Sequence, residues 1–248
     1  MKFSTFLLES KHKQSITTEK AIEIAKQHCS KAIANKIELW RGGNFYDDCY
    51  LMDTSSTVRR SANTSNHYTI ILDKFLGEKD LPMRSKSFIM SGEPGTAESF
   101  GTSRRIIPFD DAKIGNTGES DLWFVELNSK VNMAFDGFSA LYSRLDINDK
   151  SYDQIVKDTL NLLKKLRETD EDDLDRDMEN FLKLFKDADL NIKSIELELK
   201  NIFDFDSIGF KFYTGATAPK YTINECWLSG KALAVTDEIY DEIVKALK

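Results

Sequence analysis

The sequence has 248 residues, 41% hydrophobic and 11% aromatic, enough to bury a core in one large domain or one domain with an insertion, which excludes a disordered chain. A formal net charge of -7, with 30% charged residues of both signs, argues against wrapping a long nucleic acid by counterion release and leaves room for a short basic contact surface. Cys29, Cys49 and Cys226 are odd in number and lack CxxC or Cys/His metal spacing, residues 1–8 carry at most a four-residue apolar patch at 5–8, and no apolar run approaches a membrane span. The expectation is a cytoplasmic protein with reduced thiols, no metal and no membrane partner.

Residues 18–34 read as one amphipathic helix, because Ile22, Ala25, Cys29 and Ile33 recur at helical spacing while Glu19, Lys20, Glu23, Lys26 and Lys31 fill the other face. Residues 37–40 read as a short strand that runs into Arg41 and is ended by Gly42 and Gly43. Residues 51–67, rich in Ser, Thr, Asn and Arg, read as a long surface loop, and order restarts at 68–75. A brief apolar strand at 87–90 is followed by a Gly/Pro turn at 91–96, a short helix that includes Ala97 and Phe100, and a further ordered stretch at 105–109.

Residues 122–127 alternate enough for a strand, and from about 132 to 202 the pattern is helical throughout. Ile155, Leu163 and Leu166 mark one helix there, and Met178, Phe181, Leu182 and Phe185 mark the next. The acidic run Asp170, Glu171, Asp172, Asp173 and Asp175 between them reads as a solvated turn and a favourable first helical turn. A strand at 208–213, a loop at 214–220, a hairpin at 225–235 turned at Ser229, Gly230 and Lys231, and a last helix at 237–247 complete the chain. This order predicts a single α+β domain over residues 1–248, its sheet interrupted by a helical insertion at about 131–202.

Three separated patches stand out. The first is Leu39-Trp40-Arg41-Gly42. The second is Ser87-Phe88-Ile89-Met90-Ser91, followed by Ala97, Phe100 and Gly101. The third is Asn224-Glu225-Cys226-Trp227-Leu228-Ser229-Gly230-Lys231-Ala232-Leu233-Ala234-Val235. In this order they resemble the ADP-ribosyltransferase superfamily of R-S-E type, a group that includes bacterial toxins and phage-encoded enzymes. Its members carry an arginine on an early strand, a serine on a middle strand and a glutamate on a late one.

The resemblance implies an ADP-ribosyltransferase-like split mixed β-sheet core with an N-terminal helix. It also implies NAD as a substrate, no metal, and a macromolecular acceptor, protein or nucleic acid, within a host cell if the enzyme is phage-encoded. Ile223 stands where members that modify arginine carry a second acid, which points away from arginine as the acceptor.

The implied roles follow the chemistry. Breaking the nicotinamide–ribose bond builds positive charge on the sugar, so a fixed carboxylate, Glu225, lowers that barrier. Arg41 beside Gly42 offers planar, bidentate donors to the pyrophosphate. Ser87 would orient Glu225 or touch the ribose, with Ser91 or Ser85 as other versions of the serine position, and Phe88 or Trp40 would supply an apolar wall. No G-x-G-x-x-G follows a strand, so a Rossmann site is not indicated.

Other readings stay open. Glu119, in a Gly-rich turn with Asp121, is the replacement acid if the last patch is misaligned, and Arg59, Arg60, Arg84, Arg104 and Arg105 either bind an anionic acceptor or are exposed charges. His12, His28 and His67 are scattered, with His28 structural in the first helix. The favoured function is transfer of ADP-ribose from NAD to a macromolecule, with NAD glycohydrolysis as its sibling. The alternatives are a non-catalytic phage, virion-type or scaffold interaction protein that keeps the transferase fold, and a phosphoryl-transfer enzyme using Glu119, Asp121 and Glu126 with a divalent metal.

Overall fold

The computed structural model describes residues 12–59, 66–117, 151–170, 173–205, 209–220 and 225–248. The strands among them are β1 (Lys13–Ser15), β2 (Trp40–Gly43), β3 (Cys49–Asp53), β4 (Phe88–Ser91), β5 (Thr102–Pro108), β6 (Lys113–Asn116), β7 (Lys211–Thr214), β8 (Glu225–Ser229) and β9 (Lys231–Val235). The helices are α1 (Thr18–His28), α2 (Ser30–Ala34), α3 (Asn66–Glu78), α4 (Pro94–Glu98), α5 (Tyr152–Arg167), α6 (Arg176–Leu184), α7 (Ile192–Ile202) and α8 (Asp237–Ala246). The class is α+β. The described residues fall into two compact units, one within Met1–Arg59, Asp80–Trp123 and Phe210–Lys248, the other within Arg60–Lys79 and Phe124–Gly209.

The nine strands all lie in the first unit and form one sheet in the order β1-β3-β9-β5-β2-β4-β8-β6-β7. Each neighbouring pair is antiparallel, so the described sheet is not mixed. Between β2 and β4 the ladder has a single register pair, Trp40 with Ser91, whereas β2–β5 and β4–β8 each have four. The sheet is therefore almost divided at that seam. Leu39, Ile106 and Ala234 from one side of it, and Phe88, Met90, Cys226 and Leu228 from the other, belong to one buried cluster with Ala21 and Ile24 of α1 and Ile243 of α8.

Four local expectations change in this unit. The helix expected over 18–34 breaks at the buried Cys29, and α2 restarts because the Asp110 carboxylate accepts from the backbone N–H groups of Lys31 and Ala32, a cap supplied from a distant loop. Residues 51–53, expected in a loop, complete β3, since β9 offers a ladder partner to every residue from Cys49 to Asp53. The strand expected at 37–40 begins only at Trp40, and Gly42 and Gly43 are its last two residues, paired with Ser103 and Thr102.

The fourth change is the largest. Glu225 to Val235 is not a hairpin: β8 pairs with β4 and β6, β9 pairs with β3 and β5, and the two strands do not pair with each other. Gly230, at φ +122°, passes the chain from one side of the seam to the other, a conformation that a Cβ would strain.

The second unit holds α3, α5, α6 and α7. Its buried residues include Ile71 and Leu76 of α3, where the sequence suggested only renewed order, and Ile155, Leu163, Phe181, Phe185, Ile195 and Leu199, which follow the helical pattern seen in the sequence. Asp175 of the acidic run caps α6, accepting from the N–H groups of Asp177 and Met178. Residues 131–150 of the expected insertion and the strand expected at 122–127 lie outside the described residues.

Candidate active site

The antiparallel register sets up the site, because residues directly opposite each other in a ladder share a face. Trp40 of β2 lies opposite Ser91 of β4, and Ser91 lies opposite Glu225 of β8. An indole, a hydroxyl and a carboxylate thus form one row across three strands. On its other side Trp40 lies opposite Arg105, whose guanidinium carbon sits 5.6 Å from the Trp40 ring centre and 3.7 Å from that of Tyr240. This cation–π stack holds the aromatic wall.

Glu225 is half-buried by residue and its side chain is 11% exposed. Its Oε1 accepts from Arg84 Nε at 3.1 Å and Nη2 at 2.8 Å, and its backbone carbonyl accepts from the N–H of the buried Thr117 at 3.1 Å. Arg84 is buried, not an exposed charge or an open anion site. Nothing in the local sequence signals this pairing, since the partners are 141 positions apart.

Arg41 is one position beyond the row, so its side chain leaves the opposite face of the strand. Its Nη1 donates to the Ile89 carbonyl at 2.6 Å, and its guanidinium lies 5.4 Å from the Phe88 ring centre. The guanidinium occupies the seam where the β2–β4 ladder would have continued. Ser87 is buried and donates its hydroxyl to the Met83 carbonyl at 2.6 Å, while the Ser91 hydroxyl accepts from the Glu93 N–H at 3.0 Å. Of the serines considered, Ser91 is the one in the row with Glu225.

The space beside Gly42 is taken by the protein itself. A Cβ there would overlap the Ala97 carbonyl of α4 and press on Phe100. Gly42→Ala is expected to lower stability by about 1–3 kcal/mol through that clash, read as a lower urea midpoint. An unchanged midpoint would mean that α4 shifts freely and does not anchor β2.

A cleft of about 840 Å³ lies elsewhere in this unit, lined by Lys86, Asp110, Asp111, Ser229, Gly230 and Lys231 among others. It opens at the Gly230 end of β8, whereas Glu225 begins that strand, and it shares no lining residue with the Trp40–Ser91–Glu225 row. The row, not the cleft, holds a carboxylate fixed by a buried guanidinium next to a hydroxyl.

Cys29 and Cys49 are both buried. Burial pushes both thiols up, helped at Cys29 by Asp110 and Asp111, so the reactive thiolate is scarce at neutral pH. Among the described residues no group of three or more His, Cys, Asp and Glu side chains could hold a metal ion, and no helix is long and apolar enough to cross a membrane. Glu119, Asp121, Glu126, Arg60 and Ile223 lie outside the described residues. His28, expected to be structural, is exposed and stacks on Phe109 with ring centres 4.9 Å apart. Comparison with known proteins finds no family model, no curated protein and no solved structure that matches the chain.

Proposed function

We propose that the first unit is an ADP-ribosyltransferase-like catalytic domain that takes NAD as substrate, with Glu225, Ser91 and Trp40 around the reacting sugar. The observation that carries this reading is the register row in which Ser91 lies between Trp40 and Glu225 on one face of the sheet. In the reaction the bond between ribose C1′ and nicotinamide breaks, and nicotinamide leaves with the bonding electron pair. An acceptor heteroatom then bonds to C1′ and loses its proton. The Glu225 carboxylate faces the cationic sugar in the transition state and stabilises it without itself bonding to it. Trp40 excludes water along one side, while Arg41, on the opposite face, ties β2 to β4 through the Ile89 carbonyl.

A second reading, a non-catalytic scaffold that keeps this sheet, is favoured by the same contacts seen differently: the Arg84–Glu225 pair and the Arg41–Ile89 bond also tie strands together. One experiment separates the two. The full chain is incubated with NAD, and nicotinamide release is followed with and without cell lysate. Release that needs lysate is expected of a transferase, and release in buffer alone marks glycohydrolysis. No release in either mixture, together with no calorimetric heat on titration with a non-hydrolysable NAD analogue, would leave the scaffold reading standing.

A further inference from the structure

Resting on the NAD reading above, we infer that Arg84 is the positioning residue for the Glu225 carboxylate, deciding which of its oxygens faces the sugar. Arg84 begins a short 3-10 turn, Arg84–Lys86, that directly precedes β4. A glutamate at the first position of a strand has several rotatable bonds, and a carboxylate with that freedom stabilises a developing cation poorly. Here the freedom is removed. Two guanidinium nitrogens converge on Oε1, with side-chain exposures of 6% for Arg84 and 11% for Glu225. Both Arg84 bonds go to Oε1, so in this inference Oε2 is the oxygen that faces the sugar.

The segment that carries Arg84 is itself fixed at several points. The Trp227 Nε1–H donates to the Pro82 carbonyl at 2.6 Å, which lays residues 82–86 along the face of β8 that also carries Glu225. The Ser87 hydroxyl and the Lys86 N–H both bond to the Met83 carbonyl, closing the turn, and the Arg59 N–H bonds to the Ser85 carbonyl. Ser87, Met83, Arg84 and Glu225 therefore form a chain of contacts. In it the serine acts on the glutamate through the guanidinium and not by a direct bond.

Only a positioning role predicts a particular kinetic pattern. In steady-state nicotinamide release by the full chain, Arg84→Ala is expected to lower kcat by about 10²-fold with KM for NAD nearly unchanged. Arg84→Lys, which keeps the charge but loses the fork, is expected to fall between Arg84→Ala and the unaltered protein. In a Glu225→Gln background, Arg84→Ala is expected to cause no further loss, because its effect passes through the carboxylate. Thermal melts accompany each variant, and if Arg84→Ala does not fold, Arg84→Lys alone carries the comparison.

A rise in KM with kcat retained overturns the inference, since Arg84 would then grip NAD directly. So does a full additional loss in the Glu225→Gln background. If the unaltered protein releases no nicotinamide, the NAD reading fails and takes this inference with it, an outcome that the unaltered control tells apart from the other two.

Discussion

Glu225→Gln is expected to reduce nicotinamide release from NAD by about 10²–10³-fold, the scale seen when a fixed group that stabilises transition-state charge is removed. Glutamine is the informative replacement because its carbonyl can still accept from Arg84 while the negative charge is gone. Alanine would also strip the partner from a buried guanidinium, and breaking a buried pair from one side costs about 3–5 kcal/mol, so lost activity would be mixed with lost folding. The measurement is the rate of nicotinamide appearance at saturating NAD, alongside a thermal melt to confirm that the variant is folded. A folded variant that works at the original rate would remove Glu225 from the chemistry and leave its pairing with Arg84 purely structural.

Trp227→Ala is expected to destabilise the first unit by about 3–5 kcal/mol, the range for truncating a large buried aromatic. The indole is fully buried, lies 5.5 Å from the Phe210 ring centre and 6.3 Å from that of Phe212, and fills the space above Gly115, where any Cβ would run into it. Its removal opens a cavity and also takes the N–H partner from the Pro82 carbonyl. Urea unfolding at equilibrium reads the loss as a lower midpoint. Trp227→Phe, which keeps a ring but not the N–H, is expected to lose less. A loss under about 1 kcal/mol for the alanine variant would mean that Phe210 and Phe212 collapse into the space.

These two effects meet in one segment. Residues 82–86 bond to the Trp227 ring on one side and to the Glu225 carboxylate on the other, so the aromatic cluster supports the group on which the proposed chemistry depends. A stability measurement and an activity measurement on Trp227 variants should therefore move together.

Much of the local structure was legible from side-chain spacing alone. Apolar residues recurring every three or four positions marked α5 and α6, because burying one face of a helix requires that period wherever the helix ends up. The short apolar runs at β4 and β8 were legible for a similar reason, and so was Glu225 at the head of β8. What the chain could not announce was pairing. Residues 51–53 join the sheet only because β9, far along the chain, supplies their partners, and the same long-range choice turns an apparent hairpin at Gly230 into a crossing between the two sides of the seam. Arg41 and Arg84 look alike as letters. Tertiary structure alone decided that one fills a gap in the β2–β4 ladder while the other reaches the carboxylate of Glu225, because a guanidinium commits to whichever buried acceptor the folded backbone brings within reach.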